Sequence, residues 1–193
     1  MLTKSSLVAD RQAPLRRAYV EDPQRAVSVK WAATNAGAGA DALHSVVEIG
    51  KGYGISQRLG IDRLVGGDHD LPNPADLLCA ALAACEDSAI RMIADLLGVQ
   101  ILDLRVEVTG DVDVRGTLAI DRAVKVGFRS MHCLVRLRVP RSTEQPRLAA
   151  LRKQSEASCV TLDTLRSGVP VAVDFAVDIA DEAVSSQPQL TGT

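Results

Sequence analysis

The stretch RAVSVKWAA, residues 25–33, alternates. Val27, Val29 and Trp31 fall on one face, Ser28 and Lys30 on the other. A period of two predicts a half-buried strand. LHSVVEIG (43–50) and GISQRLGIDRLVGG (54–67) read as two more strands, with GAGAD (37–41) as the loop or hairpin connection before them. GGDHDLP then breaks the pattern ahead of a long apolar run, NPADLLCAALAACEDSAIRM (73–92).

That run predicts a helix over 74–97. Asn73 suits the N-cap, Pro74 the first helical position, Asp76 the positive end of the helix dipole, and Gly98 the stop. On a helical wheel Leu78, Ala81, Leu82, Ala89, Met92 and Leu96 lie within about 60° of Cys85. Cys79, Ala83, Ile90 and Leu97 cover much of the opposite side. Only Asp87, Arg91 and Asp95 form a polar stripe, spaced to pair along the surface. A helix apolar nearly all round is expected to be central and buried. The alanines at 80, 81, 83 and 84 leave room for close neighbours, a second copy of the helix among them.

Downstream, ILDLRVEVTGDVDV (101–114) places Leu102, Leu104, Val106 and Val108 inward. MHCLVRLRV (131–139) does the same with Cys133, Val135, Leu137 and Val139. Ser142 followed by Gln145 reads as a capping box for a second helix reaching Ser158. CVTLDTLRSG (159–168) reads as a short third helix stopped by Gly168, and PVAVDFAVDI (170–179) as a closing strand. The order of strands, long helix, strands, helices and strand is that of an α+β fold. The expected organisation is a loose N-terminal arm over 1–24, one domain over 25–180 and a polar, disordered tail over 181–193.

Composition narrows the function classes. Hydrophobic residues make up 47% and charged residues 24%, which is globular rather than disordered. Net charge is −2, with no basic stripe and few aromatics, so neither nucleic acid nor an acidic membrane surface is an expected partner. The longest apolar run, 77–85, is too short to span a bilayer, which takes about 20 residues. The N-terminus lacks the apolar segment of a secretory signal, so the expected compartment is the cytoplasm, where thiols stay reduced unless redox chemistry is their job.

The four cysteines are Cys79, Cys85, Cys133 and Cys159. None makes a CxxC pair or a zinc-ligand spacing with His44, His69 or His132, so no metal is expected. Cys79 and Cys133 read as core residues. Cys85 reads either as a small buried hydrophobe or as a reactive thiol. Beside it, Glu86 projects between Leu82, Ile93, Cys79 and Leu97, where a charge needs a partner. Cys159 sits near the start of the third helix, and a helix N-terminus lowers a thiol pKa.

Two segments carry a resemblance. GGDHDLPNPADLLCAALAACEDSAIRMIADLLGV is similar to the central stretch of the OsmC/Ohr family, the osmotically induced and organic-hydroperoxide-resistance proteins. That family has a Pro-x-(Glu/Asp)-Leu-Leu opening and an Ala-rich helix carrying a cysteine. Its second signature, Ala-Glu-x-x-Cys-Pro followed by Thr-Leu, a Gly and Val-Pro, resembles SEASCVTLDTLRSGVPV. The resemblance spans about residues 45–180. It implies an intertwined homodimer with curled antiparallel sheets around two long central helices, and a thiol peroxidase. In that chemistry the Cys85 thiolate attacks an organic hydroperoxide and becomes a sulfenic acid, and Cys159 condenses with it to a disulfide. A dithiol, either a small molecule or a lipoyl-type protein, restores both thiols, and no cofactor is needed.

Several positions depart from the family pattern. Ala75 stands where the hydroperoxide branch has a glutamate that holds an activating arginine, and Asp76 is the nearest carboxylate. Val160 replaces the proline after the second cysteine, and Glu86 stands where an uncharged residue is usual. No Gly-Gly-Arg stretch is present, which leaves Arg58 and Arg63 as candidate activating cations and Asp76 and Glu86 as carboxylates that could act with them. These departures keep two alternatives open: a dimer that binds a small apolar ligand, and a thiol redox sensor.

Overall fold

The computed structural model describes residues 6–35 and 41–179. Most of the GAGAD connection and the polar tail lie outside the described residues. The fold is α+β, with two antiparallel sheets and one long helix. Strands β1 (Ala32–Thr34), β2 (Ser45–Ile49) and β3 (Ser56–Leu59) form the first sheet in that order. Strands β4 (Asp103–Asp111) and β5 (Ser130–Arg138) form the second, in a register that sets Val106 opposite Val135 and Val108 opposite Cys133.

Helix α1 spans Leu7–Glu21. The N-terminal segment is therefore helical, not a loose arm. Its anchor is tertiary. Ser6 caps the helix, donates its hydroxyl to Asp95 at 2.6 Å, and Val8 N–H donates to the same carboxylate at 2.9 Å. Asp95 thus turns to α1, while Arg91 of the expected surface stripe pairs with Asp87 at 2.7 Å.

Helix α2 runs Pro74–Leu97, as the punctuation predicts. Asn73 accepts from Ala75 N–H and Asp76 N–H, while the Asp76 carboxylate accepts from Asn73 N–H at 2.9 Å. That reciprocal box satisfies backbone donors the helix itself leaves unpaired. Asn73→Ala is expected to destabilise the fold by about 1 kcal/mol, read as a lower urea midpoint at unchanged slope.

Helix α4 (Gln145–Ser158) starts at Glu144 as N-cap, with no side-chain cap bond, so the Ser142–Gln145 box does not form. A turn in which Thr143 N–H donates to Pro140 C=O holds Ser142 too early in the chain. The two remaining helices are α3 (Val114–Thr117), between β4 and β5, and α5 (Val160–Ser167), stopped at Gly168 as expected.

Two packed clusters share α2. Ile90, Ile93 and Ala94 meet Val99 and Leu151 of α4, and Leu82 and Ala89 meet Cys159. The opposite side of α2 is open: Ala81, Ala84 and Ser88 are exposed, and Met92 is 41% exposed. The helix is thus buried on one side only within a single chain.

Neither terminal alternating segment pairs fully. Of 25–33 only its last residues join β1, leaving Val27 and Val29 exposed. Residues 170–179 make no strand, and Phe175 and Ile179 are 89% and 95% exposed. A strand needs a neighbour for its backbone groups, and one chain offers these segments none. Among the described residues no helix is long and apolar enough to cross a membrane.

Candidate functional site

Helix α2 carries Cys85 toward β4, β5 and the junction of α4 with α5. At that junction Cys159 is both the C-cap of α4 and the N-cap of α5. The two sulfurs, remote in sequence, pack into one cluster as free thiols, each acting on the other's ionisation. Cys85 is partly exposed, whereas Cys159 is 1% exposed among Leu82, Ala89, Val108, Met131 and Leu162.

Their environments are opposite. Burial pushes the Cys85 thiol up. The Thr161 hydroxyl, Thr161 N–H, the Cys159 thiol and Val160 N–H all act on its sulfur and outweigh burial, so its pKa is lowered. Val160 and Thr161 are the first two residues of α5, whose N–H groups point along the helix dipole at the sulfur. Burial, with the neighbouring Cys85 and Glu86, pushes the Cys159 thiol up to about 12. The expectation that the helix start would acidify Cys159 is therefore corrected: Leu162 N–H of α5 does pull it down, but desolvation dominates there, while the Val160 and Thr161 N–H groups act on Cys85. Cys79 and Cys133 are also pushed up, each by burial first. Cys85 alone of the four thiols is pulled down.

The other candidate groups fall in different places. Asp76 closes the α2 capping box, and Arg58 is an exposed residue of β3 whose charge acts on Asp70. Arg63 sits exposed in the turn Arg63–Val65. Neither arginine is among the groups acting on Cys85 within one chain. Glu86 is 4% exposed, reaches Cys159, and leaves Oε2 without a hydrogen-bond partner. It borders a cavity of about 620 Å³ between β5, α4 and α5, lined also by Ile90, Cys133, Leu148 and Leu151. Neither Cys85 nor Cys159 lines that cavity. Thr161 was not anticipated from the sequence. Its signal is a hydroxyl placed two residues after a cysteine at a helix start.

A family model described as OsmC-like protein matches residues 67–174, more than half of the chain and both thiols. The chain belongs to the OsmC-like family. Its fold is similar to an OsmC-like protein from Mycoplasma pneumoniae, with 15% identity, TM-score 0.57, and coverage of 73% of this chain and 89% of that one. It is similar also to an organic hydroperoxide resistance protein OsmC from Legionella pneumophila, with 20% identity, TM-score 0.53 and coverage of 73% and 91%. An organic hydroperoxide resistance protein from Elizabethkingia anophelis matches with 16% identity, TM-score 0.53 and coverage of 74% and 91%. No curated protein matches the sequence. Within the OsmC-like fold, the two thiols of this chain meet where the long helix faces the start of α5.

Proposed function

We propose that this OsmC-like protein is a thiol-dependent peroxidase for organic hydroperoxides. The observation that carries the reading is the meeting of an acidified, partly exposed thiol with a buried, protonated one. A thiolate is the nucleophile, so Cys85 is the atom that attacks the O–O bond. Cys159, held against it, is the thiol that closes the disulfide. Apolar surroundings suit an alkyl or aryl hydroperoxide better than hydrogen peroxide. A dithiol, small or borne on a lipoyl-type protein, completes the cycle, and the reducing cytoplasm is the compartment that suits it. Sulfur carries both electrons, so the reading calls for no cofactor.

The test is one equivalent of cumene hydroperoxide added to the reduced protein, followed by mass spectrometry of tryptic peptides. A Cys85–Cys159 linked peptide, reversed by dithiothreitol with renewed peroxide consumption, is the expected result. Peroxide consumed no faster than by dithiothreitol alone rejects the reading.

The working form is a homodimer in this reading. Val171, Val173, Phe175, Val177 and Ile179 alternate and are all exposed, as are Val27 and Val29. An exposed, alternating apolar segment of that kind is a surface on which another chain can pair. Val173→Asp with Phe175→Asp is expected to shift the protein from dimer to monomer in sedimentation equilibrium. The cavity beside Glu86 favours a second reading, capture of a small apolar ligand. Saturable fatty-acid binding without peroxide turnover would select it.

A further inference from the structure

Disulfide closure requires a thiolate to attack the oxidised sulfur. Cys159 is poorly placed to ionise alone: it is 1% exposed, and its thiol is pushed up to about 12. A base must take its proton. Glu86 is the carboxylate whose side chain acts directly on the Cys159 thiol and favours its protonated form. It is itself 4% exposed, and its Oε2 has no partner. A buried carboxylate that served only packing or structure would be paired, because an unpaired buried charge is costly. The two guanidinium groups that line the same cavity, Arg152 and Arg166, are instead engaged by Glu156 at 3.2 and 3.6 Å. Among the described residues no cation pairs with Glu86, which sits next to the thiol that needs a base.

We propose that Glu86 is the general base of the resolving step, taking the proton from the Cys159 thiol and handing it to the departing hydroxyl of the Cys85 sulfenic acid. This rests on the peroxidase reading. First the Cys85 thiolate attacks the hydroperoxide, the O–O bond breaks, and the alkoxide leaves with a proton from water. Cys85 is then a sulfenic acid. Next Glu86 accepts the Cys159 proton, the new thiolate forms the S–S bond, and the S–O bond breaks. The leaving hydroxide takes the proton back from Glu86 as water. Cys159 is oxidised, the sulfenic sulfur is reduced, and Glu86 ends as it began.

Stopped-flow single turnovers with tert-butyl hydroperoxide, quenched into dimedone, separate the two steps. In Glu86→Gln, sulfenic acid is expected to form within about threefold of the wild-type rate, while closure slows by about a hundredfold or more. Dimedone-labelled Cys85 then accumulates. Glu86→Ala is the second arm: added formate, small enough to enter the cavity, is expected to restore closure in proportion to its concentration. Whichever variant keeps the wild-type circular dichroism decides the matter. Closure within about threefold of wild type in that variant overturns the role of Glu86 and leaves the peroxidase standing. Absence of dimedone-reactive Cys85 in wild type and variants alike, with no disulfide formed, strikes the peroxidase reading itself.

Discussion

Cys85→Ser is expected to abolish thiol-dependent consumption of cumene hydroperoxide, a loss of about a thousandfold or more. Serine keeps the size of the side chain but cannot ionise near neutral pH, so the N-terminus of α5 has no anion to stabilise. Cys159→Ser separates the steps. Its Cys85 keeps the Val160 and Thr161 contacts and still reacts once with peroxide, but the sulfenic acid persists instead of closing. Loss of one Cys159 contact raises the Cys85 pKa somewhat, so that first step slows modestly at neutral pH. Alkylation gives the same asymmetry without peroxide. Because the Cys85 pKa is lowered, its reaction with iodoacetamide persists as pH falls below the usual thiol range. Cys159, pushed up to about 12, stays unreactive until strongly alkaline pH. Equal labelling of the two thiols at neutral pH would contradict the assignment of attacking and resolving sulfurs.

The parts of this site that the sequence makes legible are the local ones. Asn73, Pro74 and Gly98 fix the ends of α2 because each acts through its own backbone and nearest turn. Gly168 ends α5 in the same way. The family signatures mark both thiols, but they do not state which sulfur is acidified. That depends on burial and on the direction of α5, both products of tertiary packing. Cys159 leads the helix and looks like its beneficiary, yet the first N–H groups point at Cys85 from another element. Asp95 illustrates the same limit: its spacing suits Arg91, while its actual hydrogen bonds go to Ser6 and Val8. The alternating segments at 25–33 and 170–179 are legible as strands, but a strand is realised only with a neighbour. One chain supplies none for most of them.

Thr161→Val is expected to move the pH profile of Cys85 without silencing it. The substitution keeps the shape of the side chain and both α5 N–H contacts, and removes only the hydroxyl that stabilises the thiolate. A hydrogen bond to a charged group contributes about 1.5–3 kcal/mol, so the Cys85 pKa rises by about one to two units. Below that pKa each unit removes about nine-tenths of the thiolate. The surviving thiolate is more basic and intrinsically more nucleophilic, which recovers about half of the loss on a logarithmic scale. The net result is peroxide reaction slower by about three- to tenfold under acidic and neutral conditions. Above the pKa both proteins are fully ionised, and only the nucleophilicity difference remains. There the variant becomes the faster enzyme by a similar factor. A crossing of the two rate–pH curves is therefore the signature of a hydroxyl that acts on the thiolate. Parallel curves, with the variant slower at every pH, would mean that Thr161 matters only for the packing of α5 against α2.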